Sequence, residues 1–271
     1  MSEKQLSGKV IIVTGATGVL GYAFNKALAE AGAIVGILGR NSSLAHERAE
    51  EILKSGGEAV VLIADVLNKE QLQAAKETMI GKYGKIDGLV NAAGGNIPEA
   101  VVQPADDIFD LNIDALRKVL DLNLFGTLLP AQVFGKAIVD TSGKGSIVNV
   151  SSVSAHQALT RVLGYSMAKS AIENYTKWFA VELANRYQDA VRMNAIVPGF
   201  FLTEQNRTLL TNEDGSCTQR GNTIIQNTPF KRFGKPEELT GALTWLLSDD
   251  SAFVNGTSIV VDGGFLAYSG V

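Results

Sequence analysis

Seven short apolar runs, rich in Val and Ile and separated by stretches of helical periodicity, constrain the fold more than any other feature of this chain. They occupy residues 10–13, 34–38, 59–63, 88–90, 146–150, 191–197 and 258–261. Each is continuously apolar rather than alternating, as a strand must be when helices cover both of its faces. Helical spacing fills 19–31, 43–55, 68–82, 114–139, 164–186 and 236–248. This alternation predicts an α/β fold with a doubly wound, seven-stranded parallel sheet and helices on both faces. No repeat, low-complexity linker or composition break divides residues 1–271, so a single domain is expected. One segment breaks the rhythm. After the sixth strand, residues 199–232 run on without a strong pattern, too long for an ordinary connection. The segment leaves the carboxyl edge of the sheet, where open α/β folds bind ligands, and is predicted to be a lid.

Composition narrows the partners. With 46% hydrophobic and 19% charged residues, the chain has the balance of a water-soluble globular protein. A net charge of −4 and the lack of any Lys/Arg block leave nucleic acid and anionic membranes without an electrostatic footprint. The apolar runs are strand-length, too short to span a bilayer, and the first residues carry no signal-like apolar stretch. A single cysteine, Cys217, forms no intramolecular disulfide and suits a reducing cytoplasm. His46 and His156 stand apart from any Cys or His at ligand spacing, so no metal site is expected.

The first strand runs directly into Thr14-Gly-Ala-Thr-Gly-Val-Leu-Gly21 and then into a helix. Glycine there lets backbone approach a pyrophosphate, which free N–H groups and the helix N-terminus attract. Gly15, Thr17, Gly18, Val19, Leu20 and Gly21 are therefore candidate dinucleotide contacts in a Rossmann-type fold. The second strand ends at Gly39-Arg40-Asn41-Ser42, with no carboxylate before Glu47. An acidic residue here would bind a ribose 2′-hydroxyl, whereas an arginine accommodates a 2′-phosphate. Arg40, Asn41 and Ser42 thus favour NADP(H), with NAD(H) as the alternative.

Tyr165 and Lys169 stand four residues apart, on one face of a predicted helix. A cation about 4 Å from a phenol, at an effective dielectric of ~20, favours phenolate by roughly 4 kcal/mol. The pairing predicts a lowered Tyr165 pKa and a tyrosine able to exchange a proton with a carbonyl or alcohol oxygen. A packed tyrosine with a snorkelling lysine is the ordinary alternative.

Taken in order, these motifs resemble the short-chain dehydrogenase/reductase family over nearly the whole chain. The resemblance rests on the glycine-rich turn, Asp65-Val66, Asn91-Ala92-Ala93-Gly94, Asn123, Ser151-Ser152, Tyr165, Lys169, Pro198-Gly199 and Asp262-Gly-Gly264. It implies NAD(P)-dependent interconversion of a carbonyl and a secondary alcohol, with Asn123, Ser152, Tyr165 and Lys169 as catalytic residues. Ser152, thirteen residues before Tyr165, would bind the substrate oxygen, and Ser151 would be structural. Lys169 would hold the ribose as well as tune Tyr165, and Asn123 would anchor a relay water. Asp65, Val66, Asn91, Ala92, Ala93, Gly94, Tyr165, Lys169, Pro198, Gly199 and Thr203 join the implied cofactor contacts. The turn departs from the pattern in one place: Val19 fills a usual glycine slot and the glycine sits at 18.

Segments 91–96, 123–130, 198–207 and 264–271 are similar to the family's bacterial D-mannonate oxidoreductases (fructuronate reductases), an activity usually paired with NAD. That implies a small sugar acid as substrate. Thr203, Gln205, Asn206 and Arg207 suit a polyhydroxy acid better than an apolar one, and Arg207 is the candidate carboxylate grip. Asn96, Ser152, His156 and Tyr165 complete the candidate substrate contacts; a packed His156 and a solvated Arg207 are the alternatives. Gluconate 5-dehydrogenase or 3-oxoacyl carrier-protein reductase activity, or a non-catalytic NADP(H) sensor, are competing readings. The family is often tetrameric, so a homotetramer is expected, with Leu116, Val119, Leu120, Phe179 and Val181 as apolar surface available for pairing; intramolecular core is the equal alternative for each.

Overall fold

The computed structural model describes residues 4–203 and 206–270. Seven parallel strands form one sheet in the order β3-β2-β1-β4-β5-β6-β7. They are β1 Val10–Thr14, β2 Ile34–Gly39, β3 Glu58–Ile63, β4 Gly88–Asn91, β5 Gly145–Val150, β6 Val191–Pro198 and β7 Ser258–Val261. Successive side chains point to opposite faces, and β1 feeds two cores in this way. Ile11 and Val13 pack with Phe24, Leu28, Leu243 and Leu246. Val10 and Ile12 pack with Leu72, Met79 and Phe134. One face is therefore closed by α1 (Val19–Glu30), α2 (Ser42–Lys54) and α9 (Thr240–Leu247). The other is closed by α3 (Lys69–Tyr83), α5 (Gly126–Ala137) and α6 (Leu163–Tyr187).

Two departures from the sequence expectation lie near the site. The helix expected over 114–139 is α4 (Ile113–Leu120), a π-helical turn (Asp121–Phe125), then α5, and a second π turn ends it at Ser142. Taken together, Ile113–Ser142 is long and apolar enough to cross a membrane, contrary to the reading of the apolar runs as too short. Here it packs along the sheet, with Phe134 and Ile138 fully buried. The lid holds two short helices the sequence did not reveal, α7 (Arg207–Leu210) and α8 (Gln219–Asn227).

The interface surface also differs from expectation. Val119 is fully buried, and Leu116 and Phe179 pack against core clusters, because their helices turn those faces inward. Val181 is exposed as expected, and around it Ile113, Phe125, Leu163, Met167 and Trp178 of the same helical segments are exposed too.

Candidate active site

The order of the strands reverses direction between β1 and β4, and at such a switch point the carboxyl ends open a crevice. The chain closes that crevice on itself with glycine. Gly15 has φ +62°, and a Cβ there would lie 2.7 Å from Ala92 O and Ala93 N. Thr14 Oγ1 accepts from the Ala92 and Ala93 amides at 3.1 and 3.2 Å. A Cβ at Gly21 would overlap Gly15 O and stand 2.8 Å from Ala16 Cα. Gly18 is different: it is exposed, and a Cβ there would meet only Gly15 O at 3.4 Å.

The residues present fit a dinucleotide. Helices α2, α3 and α4 are capped by Asn41, Asn68 and Asn112, whereas α1 starts at Gly18 with no side-chain cap and no acidic residue in its first turn. Its first N–H groups and dipole thus face the crevice beside Thr17, Val19 and Leu20, as a pyrophosphate requires. Arg40 is 74% exposed and lies 3.7 Å from Asp65 Oδ2. Asn41 spends its side chain on the cap of α2, and Ser42 contacts His46. Val66 packs under Gly126, and Asn91 donates to Asn149, which donates to Thr176. That buried chain ties β4 and β5 to α6. Gly199 sits against Asp262, while Pro198 ends β6 and the Thr203 amide is held by Asn206 Oδ1. Gln205 lies outside the described residues.

The other wall brings together Asn123, Ser152, Tyr165 and Lys169. Asn123 lies in the π turn and is fully buried. Its Nδ2 donates to Gly95 O and Val119 O, and its Oδ1 accepts from the Gly95 amide at 2.9 Å. A Cβ at Gly94 would be 2.6 Å from Asn123 Oδ1 and 3.5 Å from Lys169 Nζ, so one glycine lets the two side chains converge. Lys169 is 4% exposed and donates to Val150 O at 2.7 Å. Burial lowers its pKa to about 8. Its Nζ lies 5.4 Å from the centre of the half-buried Tyr165 ring.

This geometry corrects the expected tuning. Burial raises the Tyr165 pKa; the Ser152 hydroxyl, hydrogen-bonded to the phenol, opposes the rise only in part. Lys169 is occupied by a backbone carbonyl and is itself short of solvent, so desolvation outweighs its pull. The phenol therefore keeps its proton at neutral pH, the state needed to donate one to a carbonyl oxygen.

Two further groupings bear on the site. Glu173, one turn after Lys169 on the buried face of α6, accepts from Ser151 at 2.7 Å and Ser258 at 3.2 Å and pairs with His156 Nε2 at 2.8 Å. Ser151 is therefore structural in position, and one nitrogen of His156 is already engaged. Sequence reading passed over Glu173, although a carboxylate on the same helix face as Lys169, Ile172 and Thr176 is the signal that marks it. Asn96 follows the Asn123 clamp at Gly95 and precedes Ile97, which packs in one cluster with Tyr165. Both its Nδ2 and Oδ1 are buried without a hydrogen-bond partner among the described residues. Arg207 is exposed on α7, with no ion pair among the described residues.

Comparison with known proteins follows the same lines. A family model described as enoyl-(acyl carrier protein) reductase matches residues 15–266. The Bacillus subtilis oxidoreductase UxuB, whose name leaves its activity open, is 43% identical over 278 residues, 99% of each chain. A Haemophilus influenza protein solved with bound NAD, provisionally named a D-mannonate oxidoreductase, superposes with TM-score 0.90 at 41% identity, covering 98% of each chain. A gluconate 5-dehydrogenase from Burkholderia cenocepacia, solved with NADP and tartrate, gives TM-score 0.86 at 30% identity over 98% of each.

Proposed function

The chain belongs to the short-chain dehydrogenase/reductase family, an NAD(P)-dependent oxidoreductase acting on CH–OH groups, and from that premise we propose that its substrate is a small sugar acid, with D-fructuronate and D-mannonate as the reacting pair. The observation that carries the proposal is Asn96. A buried amide left unpaired on both sides costs about 1–3 kcal/mol per group. A hydroxyl can donate to its Oδ1 and accept from its Nδ2, which an acyl chain cannot do. The resemblance to the NAD-bound structure named for D-mannonate supports the same substrate. The gluconate 5-dehydrogenase relative, solved with a small hydroxy acid, makes a 5-ketogluconate substrate the second reading.

In this reading Tyr165 donates its proton to the carbonyl oxygen while the Ser152 hydroxyl holds that oxygen in place. Lys169, fixed by Val150 O, keeps a positive charge behind the phenol and binds ribose hydroxyls. Asn123, with its amide locked on Gly95, positions a relay water beside Lys169. The nicotinamide, when bound, supplies the hydride. Gly15, Thr17, Gly18, Val19, Leu20 and Gly21 would hold the pyrophosphate; Asp65, Val66, Asn91, Ala92, Ala93, Gly94, Pro198, Gly199 and Thr203 would line the rest of the cofactor. The exposed Arg40, with Asn41 and Ser42, favours a 2′-phosphate and hence NADP(H). His156 and Asn96 meet hydroxyls, and an arginine at the lid end receives the carboxylate. We further propose a cytoplasmic homotetramer that pairs through the exposed apolar side chains of α4–α6.

A screen of D-fructuronate, tagaturonate, 5-ketogluconate and a 3-oxoacyl thioester with NADPH and NADH, read by nicotinamide absorbance, tests this proposal. Fructuronate with NADPH is expected to give the highest kcat/KM. Tyr165→Phe is expected to lose about 10²–10⁴-fold in kcat while still binding cofactor. A preference for the thioester overturns the sugar-acid reading, and a preference for NADH overturns the role of Arg40.

A further inference from the structure

The nine arginines of the chain sort by partner. Arg40, Arg48, Arg117, Arg186 and Arg232 each face a carboxylate, and Arg192 is buried on Ser248 and Ser251. Arg161, Arg207 and Arg220 have no carboxylate partner among the described residues, and all three belong to the lid or the loop it meets. Arg207 is exposed on α7, where water can solvate it fully. Arg161 and Arg220 are only part-exposed.

These two are brought together from distant parts of the chain. Arg220, on lid helix α8, donates from Nη1 to Thr160 Oγ1 and from Nη2 to Thr160 O, both at 3.1 Å. Its guanidinium is thereby fixed next to residue 161, in the loop between Ser152 and Tyr165. Arg161 adopts φ +75°, a left-handed conformation that a residue with a side chain seldom takes. Its carbonyl accepts from the Val102 amide at 3.0 Å, which holds that conformation in place. Burial and the adjacent Arg161 charge both lower the Arg220 pKa, so the like charges feel each other. Two part-buried guanidiniums, one bonded to the residue next to the other and neither with a carboxylate partner among the described residues, are matched by an anion.

We propose that Arg161 and Arg220 form a two-guanidinium seat for the substrate carboxylate, one half carried by the catalytic loop and the other by the lid. This deepens the sugar-acid reading and rests on it, and it moves the carboxylate contact away from Arg207. The Arg220–Thr160 bonds also make the lid part of the site: α8 reaches the loop that leads, four residues on, to Tyr165.

The test compares Arg161→Gln, Arg220→Gln, Arg220→Lys and Arg207→Gln in the full chain. KM is measured for D-fructuronate and for the neutral D-fructose. Separately, with no turnover needed, the shift of the thermal midpoint by tartrate is recorded. Arg161→Gln and Arg220→Gln are each expected to raise KM for fructuronate by roughly tenfold or more relative to the rise for fructose. Both should abolish the tartrate shift, Arg220→Lys should keep part of it, and Arg207→Gln should leave it intact. Loss of the shift in Arg207→Gln alone overturns the seat, as does a wild-type midpoint that tartrate does not move at tens of millimolar. Should wild type reject fructuronate yet lose its tartrate shift on the Arg161 and Arg220 substitutions, the seat stands and the substrate assignment falls.

Discussion

The turn after β1 and the lid after β6 leave the same edge of the sheet, yet they are held by different forces. The turn is pressed backbone against backbone, with only buried side chains, Thr14 and Asn25, adding bonds: Gly15 lies on Ala92 and Ala93, and Gly21 on Gly15 and Ala16, with no room for a methyl group. The lid has backbone bonds within itself, such as Thr218 N to Leu210 O, but is tied down largely by part-exposed side chains. Asn206 bonds the Thr203 amide and Phe201 O, Thr218 caps α8, and Arg220 ties that helix to Thr160. Contacts of the first kind cannot open without breaking the sheet, while contacts of the second kind can be exchanged for water one at a time. A rigid cofactor frame and a lid of lower local stability follow from that difference.

A matched pair of substitutions tests this most severely, because each region has a glycine pressed on a carbonyl of its own segment. A Cβ at Gly21 would overlap Gly15 O, and one at Gly221 would overlap Leu210 O, where α8 meets α7. Gly21→Ala is expected to cost about 3 kcal/mol, at the upper end for overpacking, and so to lower the thermal midpoint by roughly 6–12 °C. Gly221→Ala, with the same clash, should shift the midpoint by less than about 2 °C if the lid yields locally. Its effect should appear in the substrate KM. Equal falls in the two midpoints, read by calorimetry, would show that the lid and the frame unfold as one unit and break the comparison.

A smaller effect separates the regions by charge. Lys169 belongs to the frame, since Val150 O on β5 holds its Nζ. Its pKa of about 8, set by burial, leaves it charged below that pH and neutral above. Carbonyl reduction should therefore be flat up to about pH 8 and fall by roughly tenfold per unit beyond it. Linkage has the opposite sign. An unfolded chain binds more protons between about pH 8 and 10.5, so this group's contribution to stability rises with pH across that window. The activity limb should keep its position in Gly221→Ala, because the lysine is held by Val150 O and by no lid residue among those described. A limb displaced by the lid substitution would place the lid against Lys169.

The same division explains what was legible in the sequence. Every strand was found to within about a residue at each end, because a strand buried on both faces announces itself as an unbroken apolar run. Tyr165 and Lys169 were paired by their spacing, Asn123 and Ser152 were added by the family resemblance, and the fold brings the four to one wall. The π turn around Asn123 was hidden, since one extra residue in a turn leaves the hydrophobic period nearly unchanged. Helices α7 and α8, four and nine residues long, bury little beyond Leu210 and Ile224, too few for a period to register. The Tyr165 tuning failed for another reason: an i, i+4 spacing reports proximity, whereas desolvation and the pull of Val150 O are properties of the fold. Thr160 and Arg220, sixty residues apart, and with them the Arg161–Arg220 pair, could be joined only by the structure.

Gly18 offers the finest test, because the frame does not explain it. Gly15 and Gly21 are required by the chain's own packing, and a side chain at either would strike backbone. At Gly18, φ −77° and ψ 170° suit any residue, and a Cβ would find only Gly15 O at 3.4 Å. Gly18→Ala is therefore expected to cost no more than about 1 kcal/mol, the ordinary penalty for alanine at an N-cap. A methyl group there would nevertheless stand at the uncapped start of α1, where a pyrophosphate must approach the N–H groups closely. The dissociation constant for NADPH, measured by fluorescence titration, should rise several-fold while the thermal midpoint of the free protein moves by at most a few degrees. An unchanged dissociation constant would place the pyrophosphate elsewhere and reduce the turn to a packing motif. A rise would divide the glycines by purpose, two for the fold and one for the ligand, and would explain how Val19 can fill a usual glycine slot without loss of cofactor binding.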